Sequence, residues 1–79
     1  MKDLSLVVQK LKDKEIQIDR KINHILEQNP DPFPFVRLAK GNKLLELIKM
    51  TLQSIEEDNL IQAGMHIRDL ETEGLKLDL

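Results

Sequence analysis

The side chains best able to do chemistry in this 79-residue chain are few: two histidines, His24 and His66, the hydroxyls of Ser5, Thr51, Ser54 and Thr72, and Glu15. An imidazole titrates near neutral pH, so it can move a proton or hold a metal ion. A serine or threonine becomes a nucleophile only beside a base. A carboxylate among apolar neighbours can act as a general acid, because desolvation favours its protonated form. Spacing does not join these groups. The histidines fall in different predicted helices, and no phosphate loop, dinucleotide fingerprint, nucleophile elbow or zincin pattern occurs. With no cysteine, thiol catalysis and a disulfide scaffold are both ruled out. The expectation is a non-catalytic chain, with no cofactor and no metal.

Twelve Lys and Arg oppose fourteen Asp and Glu, for a net charge of −2 and a pI near 5.6. No global attraction to nucleic acid follows. The halves differ: residues 1–40 carry eight basic against six acidic residues, and residues 41–79 four against eight. Lys10, Lys14 and Lys21 share one side of the first predicted helix, but acidic residues lie among them and no aromatic is there to stack on bases. Nucleic acid is therefore not an expected partner. A membrane is not either, because no apolar run approaches the ~20 residues of a span. Met1-Lys2-Asp3 lacks a signal-peptide core, so the expected compartment is the cytoplasm.

The elements that must position these groups read as helices. Leu4, Val8, Leu11, Glu15, Ile18, Ile22 and Ile25 recur at alternating steps of four and three, a heptad seam broken only by Glu15. No Gly or Pro interrupts residues 4–28, and Asn29-Pro30 stops the helix. The proline-rich loop spans 29–34. Within it Asp31 is a candidate cap, and Phe33 and Phe35, the only aromatics, are expected to plug the end of a bundle. A second helix over 35–57 carries Leu38, Gly41, Leu45, Ile48, Leu52 and Ile55, and it is expected to run unbroken through Gly41-Asn42 because the seam keeps its phase. Asn59 can cap a third helix over 60–73, with Leu60, Ala63, Ile67 and Leu70 facing inward and Gly74 ending it. Leu75, Leu77 and Leu79 alternate in an extended tail over 75–79, a candidate docking strand whose default is to fold back onto the helices.

The run from Leu11 through Asp19-Arg20-Lys21-Ile22, followed by Ile25-Leu26, is similar to the opening helix of helical chorismate mutases. The resemblance covers about sixteen residues and implies a long first helix, with arginines holding the carboxylates of a substrate. The chain departs from that pattern. Lys12 stands where the first-helix arginine would lie, Glu27-Gln28-Asn29 closes the helix without one, and residues 41–79 hold only Arg68. Lysine does not replace a bidentate arginine.

These residues predict an all-α fold, an antiparallel up-down-up three-helix bundle in a single domain over 1–79. A second copy of the chain is its candidate completion, since so small a core is thin. Because the first helix is much longer than the third, part of its seam is expected to stay uncovered. The expected function is protein–protein interaction, as a small regulator, adaptor or inhibitor whose partner is another protein or itself. The seam from Leu4 to Ile25 is the expected interface. A mutase-type enzyme and a weak nucleic-acid binder are the alternatives.

Overall fold

Three helices follow one another in the computed structural model, which describes residues 4–77: α1 (Leu4–Gln28), α2 (Phe35–Glu56) and α3 (Leu60–Thr72). They run up, down and up. α2 is the middle element, packing against α1 on one side and against α3 on the other, while no Cα of α1 comes within 8 Å of one in α3. The molecule is accordingly elongated, 47 × 21 × 18 Å, with a radius of gyration of 13.8 Å. A compact chain of this length would have about 12 Å.

The helix ends explain the reversals. At the end of α1 the Asn29 N–H donates to the Ile25 carbonyl at 3.0 Å, with Asn29 itself at φ 44°. α2 and α3 both close in Schellman geometry. In α2, Asp58 N–H bonds the Ile55 carbonyl at 3.0 Å and Asn59 N–H the Ser54 carbonyl at 2.8 Å, with Asp58 at φ 60°. In α3, Gly74 N–H bonds Glu71 at 3.0 Å and Leu75 N–H bonds Leu70 at 2.9 Å, with Gly74 at φ 100°. Glu57 and Glu73 thus become C-caps, so α2 and α3 each end one residue before the expected boundary.

Asn59 serves two helices at once. Its N–H completes the closure of α2, and its side-chain Oδ1 accepts from the Gln62 N–H at 3.2 Å to cap α3. One residue doing both makes the α2–α3 reversal as short as it is. Asp31 caps nothing: α2 starts at Phe35 with Pro34 in the N-cap position, which has no side-chain hydrogen bond to offer.

The core is small. Val7, Leu11, Ile48, Leu70 and Leu77 form one buried cluster, with Ile18, Leu44, Leu47, Leu52, Ile55, Ile67 and Leu75 packed partly against it. Each fully buried leucine or isoleucine contributes about 2 kcal/mol by leaving water. α2 passes through Gly41-Asn42 unbroken, and Ile22 of α1 lies directly against Gly41. The expected aromatic plug is only half present. Phe33 is half-buried, but Phe35 opens α2 with 72% of its surface exposed. The two rings instead meet edge to face, 4.9 Å between centroids.

Candidate functional site

Among the candidate nucleophiles, Thr51, Ser54 and Thr72 are bonded to their own helices. Thr51 Oγ1 donates to the Leu47 carbonyl at 2.7 Å, Ser54 Oγ to Met50 at 2.9 Å and Thr72 Oγ1 to Arg68 at 3.0 Å. Thr51 and Ser54 are buried, so these bonds meet the cost of about 1–3 kcal/mol that an unmet hydroxyl would carry. Thr72 shares a shallow depression with Lys43, Asp69 and Glu73, but its hydroxyl proton is already given to the Arg68 carbonyl.

The ionisable candidates lie apart. Glu15 is half-buried at the edge of a depression of about 280 Å³ shared with Ile16, Asp19, Leu45 and Lys49. His24 is exposed at the far end of α1. His66 is half-buried in α3, and its Nδ1 is buried without a hydrogen-bond partner. Among the described residues, no three His, Cys, Asp or Glu side chains gather closely enough to hold a metal ion.

The first-helix seam is divided between core, groove and solvent. Leu11 is fully buried, and Ile18, Ile22 and Ile25 line a hollow between α1 and α2. Val8 and Glu15 are half-buried, and Leu4 is 44% exposed. Of the residues flanking the seam, Val7 is buried and Leu26 is exposed. The inward face is turned slightly from the heptad line because α1 packs on a single helix and the tail, not on two helices.

The tail is part of the core. Leu77 is only 4% exposed and joins Val7 and Leu11 of α1 with Leu70 of α3. Leu75 packs against the same cluster. Leu79 lies outside the described residues.

A basic groove lies at the loop end of the α1–α2 hairpin. Arg20, Lys21, His24 and Arg37 line an open depression of about 370 Å³ with Ile25. Of these, the pattern along α1 pointed to Lys21 alone. Arg37 belongs to α2 and reaches the site only through the hairpin, although the positive balance of residues 1–40 was a signal.

Elsewhere on the surface, Lys43 Nζ and Glu73 Oε1 form a salt bridge of 2.7 Å between α2 and the end of α3. The hydrogen bond, then the opposite charge, holds the Glu73 carboxyl below its ordinary pKa and raises that of Lys43. No helix among the described residues is long and apolar enough to cross a membrane. Comparison with protein families, curated proteins and solved structures finds no match for this chain.

Proposed function

We propose that this protein is a non-catalytic cytoplasmic interaction module, a regulator, adaptor or inhibitor that presents the uncovered flank of α1 to a protein partner or to a second copy of itself. One observation carries the proposal: α1, 25 residues long, is backed by α2 and the tail but never by α3. Leu4, Leu6, Ile16 and Leu26 remain exposed along it, with Val8 half-covered. Apolar residues exposed singly are ordinary; three leucines and an isoleucine left exposed on one helix that lacks a second neighbour favour an interface. A cysteine-free, charge-rich composition accords with a reducing compartment.

Light scattering over a hundredfold concentration range tests the self-associating form. The expected result is a mass above the 9.2 kDa of one chain, returned to that value by Leu4→Glu with Leu6→Glu. Both positions are exposed, so the helical circular dichroism should not change. A mass of 9.2 kDa at every concentration removes self-association. The same pair then tests a heterologous partner.

A further inference from the structure

We propose that the groove between the C-terminal half of α1 and the start of α2 binds a small phosphorylated ligand with an apolar body. Every charged side chain lining its outer part, Arg20, Lys21, His24 and Arg37, is basic or can become so. None of the four has a salt bridge or hydrogen bond among the described residues. Arg20, Lys21 and Arg37, three permanent cations held in one depression without an ion pair, repel one another, and an anion between them relieves that repulsion. Two are arginines, whose planar donors match the oxygens of a phosphate in pairs.

The inner part supplies the second half of the recognition. A hollow of about 270 Å³ continues from the first, sharing Lys21, Ile25 and Arg37 with it. Lys40 stands at this hollow, and Ile18, Ile22, Leu44 and Leu75 give it an apolar lining. Gly41 deepens it, because a side chain there would meet Ile22. A basic mouth over an aliphatic lining suits an anion bearing a short hydrocarbon group rather than a bare ion.

Surrounding charge argues against a long polyanion. Asp19 precedes the basic group in sequence, and Glu27 and Asp31 follow it. Asp19 and Glu15 line the separate depression that they share with Lys49. An extended nucleic acid running past the groove would have to cross a surface carrying these carboxylates, whereas none of them lines the groove itself. The groove is distinct from the exposed α1 residues proposed for protein contact, so either assignment can fail alone.

Titration calorimetry of the whole protein with n-hexyl phosphate and with inorganic phosphate tests the assignment. Hexyl phosphate is expected to bind about tenfold more tightly than phosphate, the contribution of the buried chain. Arg20→Gln and Arg37→Gln should each weaken it about tenfold. Both residues are exposed, so thermal unfolding is the control and should not move. Three outcomes overturn the proposal. In one, hexyl phosphate does not bind, or binds no better than phosphate. In the second, both arginine variants leave the affinity intact. In the third, the protein binds phosphatidylcholine vesicles containing phosphatidic acid, or an Asp/Glu-rich peptide, but not hexyl phosphate; the groove then serves a membrane surface or an acidic protein.

Discussion

Gly41 of α2 lies against Ile22 of α1: a Cβ at position 41 would stand 3.1 Å from Ile22 Cδ1 and 3.3 Å from its Cγ1. Glycine in a helix costs about 1 kcal/mol relative to alanine, and here the close approach accounts for it. Gly64 of α3 has nothing within 4 Å of the same construction. The two glycines should therefore respond in opposite ways. Gly64→Ala is expected to raise stability by about 0.5–1 kcal/mol through propensity alone. Gly41→Val, which adds bulk against Ile22, is expected to lower it by about 1–3 kcal/mol. Denaturant unfolding of both variants checks the contrast, and equal shifts would show that the α1–α2 contact is not this tight.

The tail contributes to folding out of proportion to its length. Leu77 fills the space where α1 and α3 fail to meet, in one cluster with Val7, Leu11 and Leu70. Leu77→Ala should cost about 2–4 kcal/mol, a large share of what so small a domain possesses. Lys76→Ala, at an exposed neighbouring position, should cost under about 0.5 kcal/mol. The ratio of the two midpoint shifts decides whether the tail is part of the fold or a loose end.

The unequal legibility of these elements has a physical pattern. The three helices and their reversals were readable because apolar spacing, Asn29-Pro30, Asn59 and Gly74 all act locally. The buried line of α2 was harder. It runs Ile48, Thr51, Ser54, where two hydroxyls satisfied by their own helix pass for surface residues in any apolar pattern. Alternation in the tail showed that Leu75 and Leu77 share a side, but only the three-dimensional gap beside α1 decides where that side turns. The basic groove needed the hairpin as well, since Arg37 is brought to Arg20 and His24 by folding alone. What stays unreadable in each case is a contact between elements, set by helix rotation and not by composition.

Asp58 is the one strained residue of the α2–α3 reversal, held at φ 60° where a Cβ is unfavourable. Asp58→Gly should therefore stabilise the protein by about 1 kcal/mol, helped by removal of an anion from the C-terminal end of α2. Asn59→Ala should do the reverse, losing about 1 kcal/mol with the cap to Gln62 N–H. Thermal melts of the two variants, compared at one pH and salt concentration, should move in opposite directions. A stabilising Asn59→Ala would mean that the cap does not hold the start of α3.

The Lys43–Glu73 bridge makes a pH-dependent contribution whose sign follows from its two shifts. Glu73, held below its ordinary pKa by the hydrogen bond and then by the charge of Lys43, stays ionised in the folded state where the unfolded chain would take up a proton. Its contribution is therefore present above the ordinary carboxylate range and is lost as pH falls through the lowered value. Lys43 is raised by the same bond and charge. Its contribution is full below the ordinary lysine pKa and fades as pH rises through the raised one. Lys43→Met keeps the stem and removes both effects, so its stability gap from the natural chain should be widest near neutrality and should close both as pH falls through the lowered Glu73 value and as it rises through the raised Lys43 value. The pair is solvent-exposed, so the gap should be small and should narrow further in about 1 M salt. A gap of constant size across pH and salt would place the contribution of Lys43 in the packing of its stem against α3, not in the ion pair.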